Sequence, residues 1–471
     1  MLKKIQFIPI DLRQSTSVRM MMHRVLLYLL LNAGISQAAN DKPSREVIWK
    51  KAQSLSPLIA PQLTPREFQQ ARFGKELFFD PRISATGDVA CSSCHNPIHY
   101  FTDKQKTGRA IGVGKRNTPT VINSFALSWN FWDGRVDNLA SQALKPIEDA
   151  AEHGSNRIQV YRVVETFYKK AYEAIWGKFP SIRAKVEHGM PRTFSVTLFP
   201  KVQTYLAKQL AVKATAQRGK KWASKRWLAS KKLIFQGSQK PTWIKNFDSL
   251  SEADRNAIHT VFARAGIAIA QFERTVVAND APFDRFMKRW QTSQTPLEQA
   301  FDKNFGLSEF RGLQVFLGPG RCINCHHGPA FSDQQFHNAG FPNDSMDLGR
   351  AEGLALLKND GFACENPIYQ NHAWLKEGDS CQEKPYLVWD AVELIGAFKT
   401  PTLRNVSRTG PYGHDGSFAT LREVIEHYNN PSKLNNIGHL SESLETVELE
   451  QQEMQDLEAF LKSLTAPLKF L

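Results

Sequence analysis

Cys91-Ser92-Ser93-Cys94-His95 and Cys322-Ile323-Asn324-Cys325-His326 decide how this chain is read. In a Cys-x-x-Cys-His run each thiol can close a thioether on a haem vinyl group, and the adjacent imidazole then falls on the iron as axial ligand. The same four cysteines and two histidines could also make a zinc site, or each pair a thioredoxin-like redox couple. Zinc requires the pairs to meet across more than two hundred residues, and neither alternative accounts for a histidine directly after both second cysteines. Two covalently attached haems are the expectation. With them goes a mainly α-helical chain of two small domains, each formed around its cofactor more than around side chains.

At 471 residues the chain exceeds one ordinary core, which also predicts two domains. Its 60 basic and 46 acidic residues give a net charge of +14. From His188 to Phe247 there is no Asp or Glu, while thirteen Lys and Arg fall between Arg192 and Lys245. Nearly all the excess charge is therefore local. Trp222, Trp227 and Trp243 lie within this basic stretch, with Leu228, Leu233 and Ile234. An amphipathic helix here could dock an acidic redox partner or protein substrate, lie on anionic lipid, or stay a solvated elaboration.

The first forty residues read as an export signal. Arg19 and Arg24 precede an apolar run from Val25 to Leu31, and Ser36-Gln37-Ala38 is a cleavage site of the usual small-residue kind. The run is too short for a bilayer span. Residues 1–39 are thus expected to be removed, with the mature chain periplasmic, which disfavours nucleic acid as a partner. A start at Met20, Met21 or Met22 would give the signal its ordinary length. In an oxidising compartment the two remaining cysteines, Cys364 and Cys381, can pair, and closing that loop contributes roughly 3 kcal/mol. Two unpaired thiols are the other reading.

Apolar spacing predicts a helix from Pro65 to Phe79, ending before Asp80-Pro81, another from Thr420 to Tyr428, and a last one from Val447 to Leu464. The chain around the first motif, Ser84 to Asp88 and Gly108 to Asn117, is rich in turn residues, as in small cytochrome c domains.

Seven stretches in order resemble the bacterial di-haem cytochrome c peroxidase and MauG family. They are the two Cys-x-x-Cys-His runs, Arg116-Asn117-Thr118-Pro119-Thr120, Phe131-Trp132-Asp133-Gly134-Arg135, Phe272-Glu273-Arg274-Thr275, Phe398 to Asn405 and His414-Asp415-Gly416. The likeness runs from about Leu63 to Thr465, with insertions around 180–245 and 343–390. After the signal peptide read over 1–39, it implies an N-terminal, peroxidatic domain over 40–287. A C-terminal, electron-transferring domain would follow over 288–440, and a helix over 441–471 would return to the N-terminal domain.

The resemblance also implies roles. Cys91, Cys94 and His95 would hold the peroxidatic haem, and Cys322, Cys325 and His326 the electron-transfer haem. Trp132 would stand between them. Gln142 and Glu152 would be the amide and acid/base carboxylate of the open pocket, because peroxide heterolysis needs a base to move a proton and a polar group to support separating charge. Pro146 would shape the open face. Asn117, with Thr409 and Pro411 through their carbonyls, would hold a calcium ion. Arg404 and His414 would serve haem propionates or pack structurally.

Two departures matter. Where several family peroxidases carry a histidine beyond the N-terminal haem, this chain reads Arg109-Ala110-Ile111-Gly112-Val113, and His99 is too near the attachment turn to substitute. Where they place an axial methionine on the C-terminal haem, this chain has Tyr428, as MauG does; His427 or no side chain are the other readings. The implied function is hydrogen peroxide reduction fed by a small cytochrome c or cupredoxin. The alternatives are a MauG-like oxidation of Trp or Tyr in a protein substrate, and an electron-transfer cytochrome without turnover.

Overall fold

The computed structural model describes residues 44–183, 247–343, 346–360, 392–430, 437–442, 444 and 446–471. The export signal, the basic stretch 192–245 and Cys364 with Cys381 lie outside the described residues. The described chain is mainly helical. Its principal helices are α1 (Arg45–Gln53), α2 (Pro65–Phe78), α3 (Leu139–Glu148), α4 (Arg157–Val163), α5 (Glu252–Glu273), α6 (Pro282–Arg289), α7 (Leu307–Leu317), α8 (Leu421–Asn429) and α9 (Gln451–Ser463). A short antiparallel pair joins Phe336–His337 to Phe398–Lys399, with Phe336 opposite Lys399.

Each half of the molecule is built on one pair of crossing helices. In the N-terminal half, α2 starts at a reciprocal cap: Glu67 N–H donates to Thr64 Oγ1 and Thr64 N–H to Glu67 Oε2. Pro65 takes the first helical position, where no N–H is needed. This helix crosses α5 at Gly74, where a Cβ would lie 1.8 Å from the Ala268 carbonyl oxygen. In the C-terminal half α7 crosses α9 at Gly312, where a Cβ would lie 1.9 Å from the Asp456 carbonyl oxygen. Only glycine permits either approach.

One turn after each glycine a phenylalanine meets the partner helix. Phe78 packs on Phe272 at 5.1 Å between ring centroids and 58° between planes, and Phe316 packs on Phe460 at 5.2 Å and 56°. Such tilted pairs add about 0.5–1.5 kcal/mol beyond the area they bury. The two halves repeat one fold, the two-helix crossing of a cytochrome c-like domain.

The expected domain limits need correction at three places. Helix α1 belongs to the C-terminal core, with Ile48, Ala52 and Leu55 buried among Phe310, Leu313 and Phe316. Helix α6 does too, through Phe283 and Phe286, although the expected limit placed most of it in the N-terminal domain. Helix α9 packs in the C-terminal core and does not return to the N-terminal one. What returns is the tail after it: Lys469 bridges Val277, and Phe470 packs edge-on against Phe101 at 5.4 Å. Each domain is thus completed by chain from the far end of the other.

Candidate functional site

His95 and His326 follow short turns of helix at their cysteine pairs. His95 Nδ1 lies 3.2 Å from the Phe101 carbonyl oxygen, and His326 Nδ1 lies 2.9 Å from that of Phe331. Burial lowers the pKa of both imidazoles, so each is neutral near pH 7. A neutral ring that donates from Nδ1 keeps a lone pair on Nε2, as an iron ligand must. Phe101 and Phe331 reach this position by the same means, a left-handed backbone with φ of 55° and 52°.

All four cysteines are unpaired. Zinc held jointly by the two motifs is not what this arrangement offers. Among the described residues, the group whose metal-ligating atoms all lie within 4.8 Å is Cys325, Asp333 and His337, with no member of the first motif.

The C-terminal attachment turn opens on an apolar cavity bordered by Cys322, Cys325, His326, Leu461, Tyr428 and Trp132. His414 borders it too; its ring stacks on Phe398 at 3.8 Å, and its buried Nε2 has no partner. An orphaned imidazole nitrogen and the buried Lys399 ammonium, in a wall otherwise largely apolar, suit the acidic edge of a haem. Burial lowers Lys399 to about 8, against the pull of Asp333. Tyr428 faces the same cavity, and burial raises its phenol pKa. His427 is committed elsewhere, with Nε2 2.9 Å from the Ala339 carbonyl oxygen.

Arg404 does not serve a haem. It is fully buried in a two-pronged ion pair with Asp284, at 2.9 and 3.1 Å, and its other donors go to the Pro329 and Leu55 carbonyls. It ties α6 and the chain after α1 to the C-terminal core.

On the N-terminal side the chain after α3 turns back across the attachment turn. Burial, reinforced by Asp149, raises Glu152 to about 7 against the opposing effect of Arg135. The Arg109–Val113 loop lies on this turn, with Gly112 N–H donating to the Ala151 carbonyl at 2.7 Å and Ile111 N–H to that of Glu152 at 3.3 Å. Cys94 donates to the Arg109 carbonyl at 3.4 Å. The loop that lacks a histidine is therefore fastened beside the acid/base candidate. His99 is exposed.

An internal correspondence explains the difference between the two sites. Trp132-Asp133-Gly134 and His414-Asp415-Gly416 form the same turn, with φ of +61° and +65° at the glycines and bridges Asn130–Val136 and Tyr412–Phe418. Five residues after each glycine a helix begins, α3 capped by Asn138 and α8 by Thr420. The eighth residue is Pro146 in α3 and Tyr428 in α8. Where one domain presents a phenol, the other presents a ring with no ligating atom. This equivalence is legible in the sequence once the two Asp-Gly turns are aligned.

Trp132 belongs to both domains. Its indole N–H donates to the Asn117 carbonyl at 2.9 Å, its own carbonyl accepts from Lys399 N–H at 2.8 Å, and its side chain borders the C-terminal cavity. The next residue, Asp133, is buried beneath Arg116 and Arg135, and Arg116 also makes a two-pronged pair with Asp347 at 2.6 and 2.7 Å. This ionic lattice holds the seam. Asn117 reaches the seam as well, its N–H donating to the His414 carbonyl and its side-chain amide to the Gln105 carbonyl at 2.8 Å. Beside Thr409 and Pro411, Lys104 donates to the Arg408 and Gly410 carbonyls, which places a cation on that strand.

Two repeated domains, each with a Cys-x-x-Cys-His turn and a correctly prepared imidazole, define a di-haem c-type protein. Its relatives narrow the class. The profile of the di-haem cytochrome c peroxidase family matches residues 68–199. The chain is 28% identical to the methylamine utilization protein MauG of Methylophilus methylotrophus, over 94% of this chain and 95% of that one. It is 27% identical to the cytochrome-c peroxidase IdrP1 of Pseudomonas sp. (strain SCT), over 87% and 84%. In fold it resembles the diheme peroxidase BthA of Burkholderia thailandensis, with a TM-score of 0.51, 17% identity and coverage of 86% and 87%. The chain is thus similar to the di-haem cytochrome c peroxidases, MauG among them, and is with them an oxidoreductase of the di-haem c type.

Proposed function

We propose that the protein reduces hydrogen peroxide at the N-terminal haem, attached through Cys91 and Cys94 and ligated by His95, with electrons entering at the His326 haem. When bound, each haem supplies a redox-active iron. The chain supplies the rest. Glu152, poised near neutrality, takes the proton from one peroxide oxygen and returns it to the other, and Gln142 on α3 supports the separating charge. Trp132 carries the electron between the domains. The observation that carries this reading is the equivalence of Pro146 and Tyr428: a haem at the C-terminal site would have a phenol beside it, whereas the matching residue at the N-terminal site offers no ligating atom. An electron-transfer cytochrome would close both faces.

Stopped-flow mixing of the ferric and half-reduced holoprotein with peroxide tests the proposal. Rapid reaction in the native chain, lost in Glu152→Gln, is expected. Equal rates in the two would remove Glu152 from the chemistry.

A MauG-like variant of this reading, in which a partner protein's Trp or Tyr residues are the electron source, is favoured by Tyr428. An anionic phenolate stabilises oxidised iron, whereas a thioether raises the potential. The basic stretch 192–245 would then dock an acidic protein, whether substrate or a small cytochrome or cupredoxin donor. Export to the periplasm, by the signal at 1–39, and a calcium ion held by Asn117, Thr409 and Pro411 belong to the same proposal. Metal analysis before and after dialysis against EDTA tests the calcium.

A further inference from the structure

Glu273 ends α5 in the N-terminal domain and is 3% exposed, yet its Oε2 has no hydrogen-bond partner. Burial lifts its pKa to about 8. Leaving a buried polar group unsatisfied is unfavourable. Packing gives no return for it, since Phe272 beside it already fills the crossing with α2.

The internal repeat says where this carboxyl stands. Glu273 lies five residues after Ala268, where α5 crosses Gly74, and five before Ala278, whose N–H donates to Asn123 Oδ1 at 2.9 Å. Leu461 lies five residues after Asp456, where α9 crosses Gly312, and five before Ala466, whose N–H donates to Asn405 Oδ1 at 3.0 Å. The two positions are equivalent, and Leu461 borders the C-terminal haem cavity. Burial, and after it the charge of Glu273, raises the Cys91 thiol, so the carboxyl stands within electrostatic reach of the Cys91 end of the N-terminal site. His153 Nε2 approaches the same sulfur at 3.9 Å.

We propose that Glu273 is a tuning residue of the N-terminal haem: its unpartnered carboxyl, standing where the other domain has Leu461, lowers the reduction potential of that haem alone. An ionised carboxyl in a low-dielectric wall favours the more positively charged, oxidised iron. The inference rests on haem attachment at Cys91 and Cys94, and not on the peroxide reaction.

Spectroelectrochemical titration of the holoprotein, resolving the two haems, tests it with Glu273→Leu, Glu273→Gln and the reciprocal Leu461→Glu. Above pH 8, where the carboxyl is ionised, both Glu273 variants should shift the N-terminal haem's potential upward, with Leu shifting it at least as far as Gln, and leave the C-terminal haem where it was. Leu461→Glu should shift the C-terminal haem downward. No shift at the N-terminal haem in either Glu273 variant, or an equal shift at both haems, would overturn the proposal. If Leu461→Glu does not fold, the Glu273 variants still decide, because leucine is what the equivalent wall already carries. The pyridine haemochrome spectrum of each sample counts haems per chain, and so separates failed tuning from failed attachment.

Discussion

The two domains share a crossing glycine, a phenylalanine pair, an attachment turn, a carbonyl-oriented histidine and an Asp-Gly turn that starts a helix. They differ at a few equivalent positions at or near the attachment turns. The C-terminal domain offers Tyr428 and Leu461, a potential ligand and an apolar wall. The N-terminal domain offers Pro146 and Glu273 at the same places, and adds Glu152 beyond the helix. Repetition of the scaffold narrows the search for what makes the two sites chemically different to substitutions such as these.

The largest effect should come from Glu152. Replacing it by Gln removes the proton carrier and should slow the peroxide reaction by about 10²- to 10⁴-fold, while Tyr428→Phe leaves that step within an order of magnitude. Because burial raises Glu152 to about 7, its basic form gains population as pH rises through that value. The peroxide rate should therefore climb between about pH 6 and 8 and flatten above, and the Gln variant should lose the climb. A flat profile in the native chain would break the assignment.

The comparison can be sharpened by making the domains alike. Pro146→Tyr places a phenol where α8 carries Tyr428, and the N-terminal haem should then lose its high-spin signal together with most of its peroxide reactivity. Tyr428→Met should raise the C-terminal haem's potential, as exchange of phenolate for thioether requires; an unchanged potential would remove Tyr428 as ligand. Smaller and symmetric effects belong to the scaffold. Gly74→Ala and Gly312→Ala each force a methyl into a backbone carbonyl, and each should destabilise its own domain by about 1–3 kcal/mol, read as a lowered Tm.

Much of this was legible in the sequence because it is local. The attachment runs, the capped helix from Pro65 and the turn carrying Trp132 depend on neighbours within a few residues. The expected helix limits at Phe79 and Tyr428 differ by one residue from those observed. The expected start of the last helix at Val447 differs more, since α9 begins at Gln451. What escaped was long-range. For Arg404 the sequence leaves a propionate partner and structural packing both open, and the ion pair with Asp284 that decides for packing depends on α6 crossing the expected domain limit. The destinations of α1 and α9 depend on which core has an unfilled groove. Glu273 was visible as part of Phe-Glu-Arg-Thr, yet an orphaned carboxyl is recognised only when its surroundings are known. The internal repeat was hidden by spacing: Thr118-Pro119-Thr120 follows His95 by 23 residues, and Thr400-Pro401-Thr402 follows His326 by 74.

On this reading the N-terminal iron of the holoprotein would be open and the C-terminal iron closed. Resting-state EPR of the ferric holoprotein tests it most directly. One high-spin and one low-spin signal of equal weight are predicted, with only the high-spin signal moved by an added small ligand such as azide. Two low-spin signals, both indifferent to azide, would contradict it.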